Sequence, residues 1–266
     1  MFLISILILL IILIGGIYYI TGLIPLIIFI ALMCVLIIFL VGKNLIFRPK
    51  ISNNIHEMTP EGISYRTFDK GSDITLFVSH GNSGNIDLLG NPFEELPYNV
   101  VLYDYFNYGS SRETFGGIYL MTENHLVTSG ESVYNDLKNK GKLGKKIIFI
   151  GISLGSHPAT ILAGKHKDDD NIKSKLVLIV PFDRLSSVTP LGMWRLWGAF
   201  DNLHHGKNVE QQTLLVKAQR DELMANHLCD NLQKHIPNSE VFSINSGHND
   251  WVGPIMNSKL TQFIQS

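Results

Sequence analysis

The sequence predicts an α/β fold, a mostly parallel sheet with helices on both faces, preceded by a membrane-spanning segment. Three observations carry this expectation. Short apolar runs alternate with helix-like segments over most of the chain, the pattern of βαβ units. The runs are continuously apolar rather than alternating, as in strands buried on both faces. Phe2 to Val41 contains no charged residue.

That uncharged run sets the first boundary. As one helix of roughly 40 residues it would be about 60 Å long, against a hydrocarbon core about 30 Å thick. Gly15, Gly16, Gly22 and Pro25 are the available breakers, and a turn at Gly22–Pro25 predicts a hairpin of two spans, Phe2–Ile20 and Leu23–Val41, the alternative being one span plus an interfacial or re-entrant piece. A cleaved signal peptide does not fit, because no basic stretch precedes the run and the run is too long. Lys43, Arg48 and Lys50 follow it; the positive-inside tendency places the rest of the chain on the cytosolic side. The expected organisation is a membrane segment over 1–42, a juxtamembrane linker over 43–60 and one domain over 61–266. Arg48–Pro60 reads as a linker because it is rich in Pro, Ser and Asn.

Composition excludes several classes. The formal net charge is -1 with scattered basic residues, so nothing marks a nucleic-acid partner. Two cysteines, Cys34 and Cys229, make neither a disulfide framework nor a CxxC metal pattern. No N-x-S/T acceptor occurs. Both absences point to a reducing compartment.

Within the domain, strands are expected at Ile74–Ser79, Val100–Tyr103, Lys146–Ile150, Leu176–Val180, Thr213–Lys217 and Val241–Ile244. Helices are expected at Glu123–Lys140, Leu154–Lys165, Leu223–His235 and Trp251–Ile264. Open sheets of this kind bind ligands beyond the carboxyl ends of their strands, so the loops there hold the candidate chemistry.

The first such loop is Gly151-Ile152-Ser153-Leu154-Gly155, a G-x-S-x-G pentapeptide between a strand and a helix. In a sharp strand-to-helix turn the serine hydroxyl projects from the apex. A serine needs a base within hydrogen-bond reach and an acid that orients the base. Asp221 follows the fifth strand, with Glu222 beside it as a competitor, and could equally cap the helix expected from Leu223. His248 follows the last strand. An oxyanion hole needs two preorganised N–H donors. Leu154 supplies one backbone amide, and the loop His80-Gly81-Asn82-Ser83-Gly84-Asn85 supplies the second at Asn82.

These pieces resemble the α/β-hydrolase superfamily, and more closely its membrane-anchored branch of ABHD13-like and BEM46-like serine hydrolases. The matching stretches are SHGNSGN (Ser79 to Asn85), YDYFNYGSS (Tyr103 to Ser111), GISLG (Gly151 to Gly155), RDE (Arg220 to Glu222) and SGHND (Ser246 to Asp250). The chain departs from the branch at Phe106-Asn107, where Arg-Gly is usual, and at Ser156, where a glycine is usual. The resemblance implies an α/β-hydrolase fold with a short cap. It implies Ser153 as nucleophile, Asp221 as orienting acid, His248 as general base and acid, and Asn82 and Leu154 as oxyanion donors. The implied reaction is acyl transfer without metal or cofactor.

The substrate is expected from the segment between Val180 and Thr213. Trp194, Trp197 and Phe200 form an apolar group there that could line an acyl pocket or rest on a membrane, or pack onto the sheet edge. With a bilayer anchor, a lipid ester or an acylated protein is the expected substrate.

Overall fold

The computed structural model describes residues 12, 13, 15, 16, 22–89, 91–111, 122–167, 169, 172–188 and 200–266. Most of the expected first span, Phe2–Ile20, lies outside the described residues, as do Trp194 and Trp197. Contacts divide the chain into two compact units, Met1–Phe47 and Arg48–Ser266.

In the first unit, Gly22 turns the backbone at φ +83°, and helix α1 then runs through Leu23–Ile46. Gly22 and Pro25 stand at its start, where both residue types are tolerated. Side chains are described as far as Cys34. Among the described residues, no helix is long and apolar enough to cross a membrane.

The second unit is built on an eight-stranded sheet of order β1-β2-β4-β3-β5-β6-β7-β8. Its strands are β1 (Glu57–Met58), β2 (Ser64–Phe68), β3 (Ile74–Ser79), β4 (Asn99–Tyr103), β5 (Lys146–Ile152), β6 (Lys173–Ile179), β7 (Thr213–Ala218) and β8 (Ser239–Ile244). From β4 to β8 every pairing is parallel. β1 and β2 join antiparallel at one edge. All six expected strands are present. β1 and β2 are additional, and β1 falls inside the segment expected to be a linker. β2 was not legible as a strand because SYRTF mixes polar and apolar residues, its last three being only partly buried.

Helices cover the sheet: α2 (Ile86–Leu89), α3 (Asn91–Glu94), α4 (Glu123–Asn139), α5 (Ser156–Lys165), α6 (Leu185–Val188), α7 (Asn202–Gly206), α8 (Asn226–Gln233) and α9 (Pro254–Gln265). On one face, Leu76, Val78, Ile148, Ile150, Val177 and Val216 pack with Met256, Leu260 and Phe263 of α9. On the other, Phe77 rests against Tyr103, Tyr134 and Phe149 with ring centroids 5.1–6.1 Å apart. Strands buried on both faces explain the continuous apolar runs.

The expected linker is instead a strap fastened along the domain. Gly109 N–H donates to the Lys50 carbonyl at 2.8 Å and Ser52 N–H to the Gly109 carbonyl at 2.9 Å. The Ser52 hydroxyl and His56 Nε2 both meet the Asp87 carboxylate, His56 at 2.8 Å. The Ser110 hydroxyl donates to the Asn54 carbonyl at 2.7 Å. Pro, Ser and Asn are common in loops whose polar groups find partners, so composition alone could not separate a strap from a linker.

A chain starting at Glu61 should therefore be less stable than one starting at Arg48. At about 1 kcal/mol per hydrogen bond, the loss should be a few kcal/mol, read as a lower urea midpoint. Equal midpoints would mean that the strap is not part of the folded unit.

Candidate active site

The site forms where β3, β5, β7 and β8 end. Register places Ser79, the last residue of β3, beside Gly151 of β5. The chain then turns through a 3₁₀ turn, Ser153–Gly155, directly into α5. A Cβ on Gly151 would fall 2.5 Å from the Gly155 carbonyl oxygen, and one on Gly155 would fall 2.0 Å from that of Ser79. Any side chain at either position would drive apart backbone segments that now touch. Ser153 itself has φ +52°, a left-handed conformation that costs a non-glycine residue about 1–2 kcal/mol. The tight turn lifts its hydroxyl to the apex.

His248 lies in the loop after β8, and its Nε2 is 3.0 Å from Ser153 Oγ. Its Nδ1 faces Asp221, 2.8 Å from Oδ2 and 3.0 Å from Oδ1. Because the carboxylate only accepts, Nδ1 carries the hydrogen and Nε2 presents its lone pair to the serine. Asp221 also accepts from the backbone N–H groups of Leu223 at 2.9 Å and Met224 at 2.7 Å. It is not a helix cap: α8 begins only at Asn226, after Ala225. Glu222 has a different task, since its Oε2 accepts the His248 backbone N–H at 3.2 Å. The loops bearing acid and base are themselves bonded, Gln219 N–H to the Ile244 carbonyl and Arg220 N–H to that of Ser246, both at 2.9 Å. All three side chains are nearly shielded from solvent: Ser153 and His248 are buried residues, and the Asp221 side chain is 2% exposed.

The loop after β3 closes over the serine. A Cβ on Gly81 would sit 3.7 Å from Ser153 Cβ, so the backbone of His80-Gly81-Asn82 runs against the turn. Asn82 Oδ1 accepts from Arg48 N–H at 3.0 Å and from the Tyr108 hydroxyl at 2.9 Å, which fixes this residue from the strap side. Leu154, the second residue of the 3₁₀ turn, has its N–H in the first helical turn, where no intrahelical acceptor exists.

Sequence reasoning missed the buried polar layer beneath this loop. His80 is packed between the Tyr105 and Tyr108 rings at 4.3 and 5.3 Å, and the Tyr105 hydroxyl donates to the His80 carbonyl at 2.7 Å. Burial pushes the His80 imidazole down to about 4. Beside it, Asp104 accepts the Ile86 N–H at 3.0 Å, and burial pushes its carboxyl up to about 6. A Cβ on Gly109 would strike Asp104 at 1.9 Å, and Gly109 has φ +54°. The YDYFNYGSS stretch was the available signal, since its tyrosines, aspartate and glycine are these residues. Asn107, where the resembling branch has glycine, adopts φ +63°, a conformation asparagine tolerates better than most residues.

Of the three apolar residues expected near the substrate, only Phe200 is described. It is buried and packs on His157 with ring centroids 5.0 Å apart.

No protein-family model and no curated protein matches the chain. Solved structures do. An esterase from Pyrococcus furiosus superposes with TM-score 0.61 and 17% identity, covering 82% of this chain and 98% of its own. A lipase-esterase related protein from Clostridium acetobutylicum gives TM-score 0.61 and 19% identity, covering 76% and 100%. An enol-lactonase from Burkholderia xenovorans gives TM-score 0.60 and 14% identity, covering 77% and 96%. At such identities the likeness speaks for architecture, and it shows that this chain has the α/β-hydrolase fold.

Proposed function

We propose that the protein is a membrane-anchored serine hydrolase that cleaves carboxylic ester or thioester bonds through an acyl-enzyme on Ser153. The observation that carries this reading is the hydrogen-bond chain from Asp221 through His248 to Ser153. A packing turn needs no such chain, and each member comes from a loop after a different strand.

The chemistry follows from the geometry. Ser153 Oγ attacks the substrate carbonyl carbon as His248 Nε2 takes its proton. The carbonyl π electrons move onto oxygen, and the oxyanion is met by the main-chain N–H groups of Leu154 and Asn82. When the tetrahedral intermediate collapses, the bond to the leaving alcohol or thiol breaks and His248 returns the proton to it. Water then attacks the acyl-enzyme with His248 again as base, releasing the acid and restoring Ser153. Asp221 holds the ring in the required tautomer and faces the imidazolium while it exists.

The membrane reading rests on the uncharged run from Phe2 to Val41 and the basic residues Lys43, Arg48 and Lys50 after it, which favour a cytosolic domain. A substrate with an acyl chain, a lipid ester or an acylated protein, suits an enzyme held at that surface. Trp194 and Trp197 are large apolar residues in the segment expected to cap the site.

The detergent-solubilised protein should label with a fluorophosphonate probe, and Ser153→Ala should not; an unlabelled, folded wild type would leave only a scaffold with this fold. Asp221→Asn should keep the fold but lose about 10⁴-fold in turnover of a model ester, because the ring is then held in the wrong tautomer. In a vesicle flotation assay the full chain should rise with the lipid, and a chain starting at Arg48 should stay below. Flotation of both chains would assign the membrane contact to the domain.

A further inference from the structure

A second polar cluster joins three elements outside the Ser153 site. Glu123 opens α4, His157 lies in the first turn of α5, and His205 lies in α7. One donor atom from each, the two imidazole nitrogens and a carboxylate oxygen, lies within 4.8 Å of the others.

The hydrogen bonds fix the orientation of the central ring. Asn202 Nδ2 donates to the Phe182 carbonyl at 2.9 Å and to Ser156 Oγ at 3.2 Å. That assigns Asn202 Oδ1 as an acceptor, and it faces His157 Nδ1 at 2.7 Å. Nδ1 therefore carries the hydrogen, and Nε2 of the neutral ring is a lone pair. Nε2 meets Glu123 Oε1 in direct contact. The same oxygen lies 3.3 Å from His205 Nε2. A lone pair facing a carboxylate oxygen is repulsive unless a proton or a cation stands between them. The His157 ring is completely buried, which raises the cost of leaving it uncompensated.

We propose that Glu123, His157 and His205 form a binding site for a divalent transition-metal ion, Zn²⁺ by its ligand set, which staples α4, α5 and α7 together. Two imidazoles and one carboxylate are ligands that Zn²⁺ takes readily. With metal bonds of about 2.0–2.1 Å, the edge of a coordination tetrahedron is about 3.3 Å; Glu123 Oε1 and His205 Nε2 are 3.3 Å apart, whereas the direct Glu123–His157 contact is shorter than that edge and opens when the ion enters. The Asn202 carboxamide behind His157 Nδ1 is the outer hydrogen bond that fixes a ligating imidazole. Glu123 and His205 are partly exposed, at 27% and 30% of their side chains, so an ion can reach the site from solvent. The reaction proposed on Ser153 calls for no metal, so the ion's role is to hold the helix that follows the nucleophile.

The test uses the untagged full chain in detergent, stripped with EDTA, given zinc chloride and freed of excess by gel filtration. The wild type should retain one zinc per chain and melt at a higher temperature with zinc than without it. Glu123→Gln and His205→Ala should each lower zinc affinity at least about 10-fold and abolish the melting shift. The glutamine amide can donate to His157 Nε2, so that variant keeps the fold, which circular dichroism verifies. A wild type that retains no zinc would overturn the site, as would variants that retain it with unchanged affinity.

Discussion

The close approach of Gly155 to the end of β3 is the constraint on which the site depends. Backbone meets backbone there, and a single methyl group would fall 2.0 Å from the Ser79 carbonyl oxygen. Close packing leaves no slack to absorb such an intrusion. The contact does two things together. It presses the nucleophile turn against the loop that carries Gly81 and Asn82, and it aims α5 back across the sheet. The candidate serine and the candidate oxyanion donors are thus placed by one contact between the turn after β5 and the end of β3.

The partners of that serine are placed by a different device. Asp221 and His248 sit on loops that continue the β7–β8 ladder by two backbone hydrogen bonds, and Glu222 ties the His248 backbone to the same loop. Acid and base are therefore one rigid unit, and Ser153, two strands away, belongs to another. The hydrogen bond between His248 Nε2 and Ser153 Oγ is the seam between them. Beneath the loop after β3, His80, Asp104, Tyr105 and Tyr108 form a buried layer.

Much of this was legible in the sequence, for identifiable reasons. The parallel core strands announce themselves because burial on both faces leaves unbroken apolar runs such as Ile74–Ser79. The candidate residues Ser153, Asp221 and His248 stood out because each occupies a loop after an expected strand. What was illegible depends on partners distant in the chain. β1 spans only Glu57–Met58 and exists through pairing with β2, and the strap is ordered by Asp87, Gly109 and Ser110, far from it in sequence. The helix expected at Leu223 begins at Asn226 because the Asp221 carboxylate holds the intervening amides in a turn. The cluster of Glu123, His157 and His205 left no pattern in the sequence, since its members are separated by 34 and 48 positions and meet only through packing of three helices.

The left-handed backbone at Ser153 has a consequence for how this chain would change over generations. Glycine would relax that residue, and glycine is also the replacement that removes the hydroxyl. Under the proposed function, stability and activity pull this one position in opposite directions. A lineage released from the need for hydrolysis would find losing the nucleophile favourable to the fold, so an inactive descendant could outlast its active ancestor on heating.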